Sequence, residues 1–284
     1  MRTIPLLVRR YRVFALVRKT TYCTALRSLG AMPLQGDLDD RASLARISGL
    51  ADTVLHFAPP QNSGSLDMRT RNLLSALSQS RFVIKRDSGL PKQLVYISTS
   101  GVYGDCDGNI VSESHRLNPQ TARAQRRADA EKQIRSWAKR NQVRASILRV
   151  PGIYAEGRLP LSRLQQGVPC ITDVDDSYTN HIQADDLARV VVAALRNGSA
   201  CRVYHASDDS QMKMGEYFDA VANAFGIQRV PRISRVEAQR TLPESLLSFL
   251  NESRRLVNQR MKHELKVKLL YPTVADWLAT TKHA

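Results

Sequence analysis

The chain has 284 residues, 43% hydrophobic and 24% charged, and these fractions are typical of a globular protein rather than a disordered or fibrous one. Lysine and arginine number 42 against 26 acidic residues, so the formal net charge is +16. This excess favours an acidic partner, such as nucleic acid, an anionic membrane or a phosphate-bearing small molecule. The apolar runs are shorter than the ~18 residues of a membrane span, so no membrane partner is expected.

The four cysteines lie far apart and form no CxxC pair, which argues against a zinc knuckle or a redox motif. A chain of this length needs no disulfide, so the sequence predicts no metal site and a cytoplasmic location. The basic segments 1–36 and 116–149 lack the interleaved aromatic residues of base-stacking sites. Nucleic-acid binding is therefore not expected, and a small phosphate-bearing partner is favoured.

Short β-type runs alternate with longer helical runs along the first half of the chain. Helices are predicted at 21–29, 41–47, 68–78, 123–141, 187–195 and 215–225, and strands at 11–17, 31–34, 53–58, 93–98, 145–150 and 203–206. Strands separated by helices indicate βαβ units and a parallel sheet whose ligand lies at the carboxyl ends of the strands. We expect a nucleotide-binding domain over 1–150 and a smaller substrate-binding lobe over 151–284, partly interleaved with it.

The beginning of the chain lacks one feature of dinucleotide-binding folds, which start with a strand, a Gly-rich turn and a helix. The first glycine is Gly30, and 1–10 has the pattern of the end of a helix. We therefore expect the first strand and the phosphate loop to be missing. Either the fold lacks them, or the reading frame extends upstream by roughly 15–20 residues that encode a strand and a Gly-rich turn.

Five segments carry a resemblance to a known family. They are Gly36–Leu38 (GDL), Tyr96–Asp105 (YISTSGVYGD), Leu148–Tyr154 (LRVPGIY), Asn180–Ala188 (NHIQADDLA) and Tyr204–Asp208 (YHASD). In this order they resemble the extended short-chain dehydrogenases/reductases, the NAD-dependent epimerase/dehydratase family. The resemblance implies an α/β fold with a Rossmann-like doubly wound parallel sheet, here without its first strand, and a smaller C-terminal α/β lobe.

The resemblance also implies which residues contact the adenosine half of a cofactor. Asp37 would accept a hydrogen bond from the adenine amino group, and Leu38 would pack on the ring. Phe57, Ala58 and Pro59 would pass beneath the adenosine and the pyrophosphate. For Asp37 a helix N-cap is the alternative interpretation.

Arg18 ends the second strand of the family fold, where an acidic residue favours NAD and an arginine favours the 2′-phosphate of NADP. The cofactor is therefore NADP or NAD, with NADP preferred; the alternative for Arg18 is a solvated strand end. Without a Gly-rich turn the pyrophosphate loses its backbone N–H donors, so we expect weak binding.

The usual catalytic set of this family is a Ser or Thr with a YxxxK motif. Ser100 falls at the serine position, while counting from Pro119 to Glu131 puts Arg123 at the tyrosine and Arg127 at the lysine. Arginine does not exchange a proton near neutral pH, so this active site would be atypical. Two arginines four residues apart share a helix face and would bind an anionic group or stabilise a developing oxyanion. The alternative is an exposed basic helix.

These residues predict an NAD(P)-dependent oxidoreductase or sugar-nucleotide epimerase/dehydratase acting on a small anionic or nucleotide-linked substrate. The alternative is a non-catalytic nucleotide-binding or regulatory protein on the same fold. Helical periodicity turns Arg126 away from the face of Arg123 and Arg127, so its substitution is expected to matter less. A sheet without its first strand exposes neighbouring strand edges, which makes a homodimer possible.

Overall fold

A computed structural model describes residues 1–79 and 89–281. The helices are α1 Ile4–Leu7, α2 Cys23–Ser28, α3 Met68–Leu77, α4 Ala122–Asn141, α5 Leu161–Gln165, α6 Ala184–Asn197, α7 Met214–Ala224, α8 Arg235–Thr241, α9 Glu244–Leu250, α10 Gln259–Leu265 and α11 Val274–Thr280. The strands are β1 Phe14–Val17, β2 Met32–Gln35, β3 Thr53–His56, β4 Gln93–Thr99, β5 Ile110–Val111, β6 Arg144–Val150, β7 Gly152–Tyr154, β8 Cys170–Ile171, β9 Tyr178–Thr179, β10 His181–Gln183, β11 Arg202–His205, β12 Met212–Lys213, β13 Arg232–Ile233 and β14 Arg255–Leu256. Short 3₁₀ helices cover Thr20–Tyr22, Arg41–Ile47 and Ser100–Tyr103.

The central sheet has four parallel strands in the order β11-β6-β4-β3. Leu94 on β4 lies between Val54 on β3 and Ala145 on β6, which fixes the register. β4 and β6 are almost continuously buried because helices cover both faces, as is usual for parallel sheets. The parallel sheet predicted from the alternating pattern is confirmed.

A separate pair of parallel strands, β1 and β2, stands beside this sheet, with Phe14 opposite Met32. Among the described residues, β1 pairs only with β2, and β3 pairs only with β4. A cavity of about 600 Å³ lies between β1 and β3 and is lined along its length by residues of both strands. The sheet is therefore divided in two at the place where the sequence predicts a missing strand.

Two layers of helices cover the central sheet. On one face Ile134 and Trp137 of α4 pack with Leu73 and Leu77 of α3 in one apolar cluster. On the other face α6 and α10 contribute Val190, Val191, Met261 and Leu265 to a second cluster. Burial of these apolar side chains fixes α4 across the sheet, which positions its amino-terminal turns near the carboxyl end of β4.

The second half of the chain forms a further core, in which α7 packs against α11 through residues such as Phe218 and Trp277. One of its strands returns to the first half, since Arg255 on β14 pairs with Ile110 on β5. This pairing places the segment that follows α9 against the turn that follows β4. The division of the chain at residue 150 stays a prediction.

The structure differs from the predicted elements mainly at their ends. The strand expected from residue 11 begins at Phe14 because Tyr11 and Arg12 are exposed and lie outside the ladder. The helix expected over 41–47 is a 3₁₀ helix over Arg41–Ile47, and the side chain of its N-cap, Asp40, accepts a hydrogen bond from the Ala42 amide. Within the described parts of the chain, every helix is too short or too polar to cross a membrane.

Candidate functional site

One cavity gathers the six residues predicted to contact a cofactor. It is the cavity between β1 and β3, and its walls include Arg18, Asp37, Leu38, Phe57, Ala58 and Pro59. All six follow the carboxyl ends of β1, β2 or β3, the edge at which parallel sheets bind ligands. Phe57 is 42% exposed, so an aromatic ring is available to a ligand at this edge.

The turn after β2 has little room for side chains. A β-carbon on Gly36 would stand 2.8 Å from Leu16 Cδ1 and 3.3 Å from the Ser43 carbonyl oxygen, so this close approach requires glycine. The adjoining Asp37 is ordered by its own loop, because its Oδ1 accepts from the Asp39 amide at 3.0 Å. The N-cap of the following 3₁₀ helix is Asp40, so Asp37 is not the N-cap that the alternative interpretation suggested.

Arg69 is a residue of this cavity that sequence reasoning missed. Its Nε and Nη2 donate to both carboxylate oxygens of Asp39, at 2.7 and 2.6 Å, and its Nη1 donates to the Pro59 carbonyl at 3.1 Å. The hydrogen bond from Arg69 lowers the pKa of Asp39, and the charge of Arg18 lowers it further. The rim of the cavity therefore carries two guanidinium groups, at Arg18 and Arg69, which suit the phosphates of a nucleotide.

His56 ends β3 and contributes a neutral imidazole to the cavity wall. Burial lowers its pKa to about 3, and the charge of Arg127 acts in the same direction. Its Nε2 lies 2.9 Å from Thr70 Oγ1, and its ring packs against Tyr96 with centroids 5.1 Å apart. A neutral, hydrogen-bonded histidine here serves the packing between β3 and β4.

The turn after β4 carries the predicted serine. Ser100 opens the 3₁₀ helix and is only 5% exposed. The preceding Thr99 caps this helix, because its Oγ1 accepts from the Gly101 amide at 3.2 Å. Thr99 is half-buried rather than buried, so the structure adds its hydroxyl to the candidate site beside Ser100.

Helix α4 brings Arg127 to β4. Its Nη1 donates to the Ile97 carbonyl at 2.8 Å and to the Tyr96 hydroxyl at 3.1 Å. Arg123 lies one turn earlier on the same helix and is exposed. The two arginines are thus on one side of α4, with Arg127 anchored at the sheet and Arg123 nearer to solvent.

Arg126 occupies a different environment from the one that helical periodicity suggested. It is buried, and its Nη1 donates to the Gly64 carbonyl at 2.6 Å, because the loop between β3 and α3 packs over that side of α4. Its Nε is buried and has no hydrogen-bond partner in the structure. The alternative interpretation, an exposed basic helix, describes Arg123 but not Arg126.

A buried polar network lies beneath the turn after β4. Arg149 on β6 donates to both oxygens of Glu131 on α4, at 3.0 and 2.7 Å, and to the Tyr103 hydroxyl at 2.6 Å. The Tyr103 hydroxyl lies 2.5 Å from His205 Nε2. Burial raises the pKa of Tyr103 to about 12 and lowers that of His205 to about 3, so both groups are neutral near pH 7. Tyr103 therefore has a structural role.

The described residues also include side chains of the types that ligate metals. Across residues 1–79 and 89–281, no three His, Cys, Asp or Glu side chains are grouped so that they could hold an ion. The arrangement instead combines an aromatic and aliphatic cavity, guanidinium groups at its rim, and hydroxyl groups at the end of β4. These are the types of group that contact nucleotides, anionic groups and substrate oxygens in proteins.

Comparisons with known proteins identify relatives of the chain. The RmlD substrate binding domain family matches residues 86–282. The dTDP-D-glucose 4,6-dehydratase of Homo sapiens is 23% identical over 224 residues, covering 69% of this chain and 61% of that protein. The dTDP-glucose 4,6-dehydratase of Mycobacterium tuberculosis is 26% identical over 194 residues, covering 63% of this chain and 57% of that protein. The chain thus spans about three-fifths of the length of these curated relatives.

Solved structures show the same fold over nearly the whole chain. A functionally unknown conserved protein from Silicibacter pomeroyi superposes with a TM-score of 0.76 at 26% identity, covering 98% of this chain and 92% of that one. The UDP-glucuronic acid 4-epimerase of Bacillus cereus, in complex with UDP-glucuronic acid and NAD, gives 0.73 at 19% identity, covering 98% and 92%.

The parallel sheet covered by helices and the family match place the chain among the Rossmann-type short-chain dehydrogenases/reductases. Within this class the chain belongs to the NAD-dependent epimerase/dehydratase family, through its match to the RmlD substrate binding domain. The resemblance seen in the five sequence segments is thereby confirmed.

Proposed function

We propose that the chain binds NADP or NAD in the cavity between β1 and β3 and acts on a sugar nucleotide as an oxidoreductase, epimerase or dehydratase. The observation that carries the proposal is the convergence of six predicted contact residues on one cavity. Structural neighbours support it, since the Bacillus cereus epimerase was solved with NAD and UDP-glucuronic acid.

The adenosine half of the cofactor fits the residues present. Asp37 and Leu38 stand on one wall of the cavity and Phe57 on another, so an adenine ring can be held between an acceptor and apolar surfaces. Arg18 on the same wall provides a cation for a 2′-phosphate, which supports NADP over NAD. When bound, the cofactor would supply hydride transfer.

The pyrophosphate has fewer binding groups in this cavity than the adenosine. In the part of the chain that the structure describes, no Gly-rich turn follows a strand at this cavity, so backbone N–H groups for the phosphates are few. Arg18 and Arg69 supply charge but not that preformed cradle. We therefore propose that this chain binds the cofactor with a dissociation constant weaker than about 1 μM.

The substrate would lie at the carboxyl end of β4, beside Thr99, Ser100 and Arg127. Arginine binds phosphate or carboxylate groups bidentately and stays protonated, so Arg123 and Arg127 would hold an anionic group rather than move a proton. The hydroxyls of Thr99 and Ser100 would orient a substrate oxygen. This site departs from the tyrosine and lysine pair of the family and is atypical in that sense.

Turnover assays test the proposal. UDP-glucuronic acid and dTDP-glucose are incubated with NAD or NADP, and reduced nicotinamide and changed sugar are measured. Loss of activity in Arg127→Ala and little rescue in Arg127→Lys would support the arginine site. Cofactor and sugar-nucleotide binding without turnover would instead favour the non-catalytic nucleotide-binding alternative, which is supported by the fixed pairing of Arg127 with Ile97 and Tyr96.

A further inference from the structure

The space above Gly101 is faced by two functional groups from distant parts of the chain. A β-carbon on Gly101 would stand 3.6 Å from Thr99 Oγ1 and 3.7 Å from Glu252 Oε2. Both are ordinary contact distances, so the space can take an additional atom without displacing either group. A hydroxyl and a carboxylate therefore flank one point at the end of β4.

Glu252 is held there by its own segment. It lies between α9 and β14, and Arg254 Nη2 donates to its Oε2 at 2.9 Å. Arg254 Nη1 donates to the Gly104 carbonyl at 2.6 Å, and the Ser253 amide donates to Asp105 Oδ1 at 2.8 Å. Several hydrogen bonds thus fix this segment to the turn that follows β4.

The Glu252 carboxylate keeps capacity for a ligand. Its side chain is 10% exposed, and Arg254 takes one of the roughly four lone-pair positions of a carboxylate. Thr99 Oγ1 accepts from the Gly101 amide, and as a hydroxyl it also has one proton to donate. A substrate hydroxyl between them would accept from Thr99 and donate to Glu252.

Other groups at this edge are unsuited to take a proton. Arg127 stays protonated near neutral pH. Tyr103 is 1% exposed, and burial raises its pKa to about 12. Asp105 Oδ1 accepts from the backbone amides of Ser253 and Asp107.

We propose that Glu252 is the proton acceptor of this site and that Thr99 orients the substrate hydroxyl toward it; this inference rests on the proposed function. In the oxidation of a secondary alcohol, the C–H and O–H bonds break and a second C–O bond forms. A bound NAD(P)⁺ would accept the hydride with its electron pair, and the hydroxyl proton would pass to the Glu252 carboxylate. The reverse reduction returns both.

Binding provides a test that needs no turnover. UDP-glucuronic acid and its 4-deoxy-4-fluoro analogue are titrated into the wild-type chain, Glu252→Gln and Glu156→Gln, an exposed control on the second half of the chain. Since fluorine does not donate a hydrogen bond to a carboxylate, the wild type and the control should prefer the hydroxyl ligand at least tenfold. Glu252→Gln should weaken this preference, because a neutral amide oxygen accepts a hydrogen bond less strongly than a carboxylate. An unchanged preference in Glu252→Gln overturns the inference.

Turnover separates a proton acceptor from a merely structural residue. Glu252→Gln should lower kcat at least a hundredfold and raise KM by no more than about tenfold, and formate added to Glu252→Ala should restore part of kcat. A loss of thermal stability in Glu252→Gln with an unchanged kcat would show that Glu252 only fixes the loop. If the wild type binds neither sugar nucleotide nor cofactor, the proposed function itself fails, and the inference fails with it.

Discussion

Replacement of Arg149 by methionine tests the buried network that joins α4 to the sheet. Arg149 and Glu131 have side chains that are 3% and 2% exposed, and two hydrogen bonds join them at 2.7 and 3.0 Å. Arg149→Met would leave the Glu131 carboxylate buried without its countercharge, with only the Ser98 hydroxyl at 2.7 Å and a distant contact to Arg135. Breaking a buried pair in this way costs about 3–5 kcal/mol.

Thermal and urea denaturation measure this loss. At roughly 2–4 °C per kcal/mol for a chain of this size, the Tm should fall by roughly 6–20 °C. The matched control is Arg202→Met, which removes an arginine paired with Glu264 at the surface, where both side chains are substantially exposed. Exposed pairs contribute little, so the control should be close to the wild type. Equal losses in the two variants would refute the reasoning.

The remaining predictions concern pH, the arginines of α4 and assembly. Burial lowers the pKa of His56, His181 and His205 to about 3 from 6.5, while burial raises that of Asp208 to about 7 from 3.8. Between about pH 4 and 5.5 the unfolded chain therefore binds nearly three more protons at the histidines and one fewer at Asp208, and the histidine excess halves by about pH 6.5. The free energy of unfolding should fall on acidification by up to about 3 kcal/mol per pH unit, and a flat profile in urea denaturation from pH 4.5 to 6.5 would contradict this. Arg126→Ala should lower the free energy of unfolding without changing the affinity for a sugar nucleotide, whereas Arg127→Ala should weaken that affinity at least tenfold. Calorimetric titration in which Arg126→Ala weakens binding and Arg127→Ala does not would contradict the environments assigned to the two arginines. The open edges of β1 and β3 should promote self-association, so light scattering should detect dimers. A chain that stays strictly monomeric at high concentration would contradict this expectation.

The fold was predictable because the patterns that indicate strands and helices lie within short stretches of the sequence. Strand runs such as 93–98 and the long helix at 123–141 are recognisable from periods of 2 and 3.6 residues, and the structure places them within a residue or two. The six residues that the family resemblance implies as cofactor contacts line one cavity, because each follows the end of one of three neighbouring strands.

The rest of the site depends on contacts between distant residues. Arg69 reaches the cavity through Asp39, thirty residues earlier, and Arg126 is buried by the carbonyl of Gly64. Glu252 faces Gly101 only because β14 pairs with β5. Periodicity gives the face of a helix but not what packs on it, so it could not show that Arg126 is buried.

The most direct test of the central claim is calorimetric titration of the chain with NADP and NAD. The account predicts that both bind with dissociation constants weaker than about 1 μM, NADP more tightly than NAD. Asp37→Ala should weaken both, Arg18→Ala should weaken NADP alone, and Asp173→Asn, an exposed change on the second half of the chain, should weaken neither. Binding that is indifferent to Asp37 and Arg18, or no binding at millimolar nucleotide, would contradict the account.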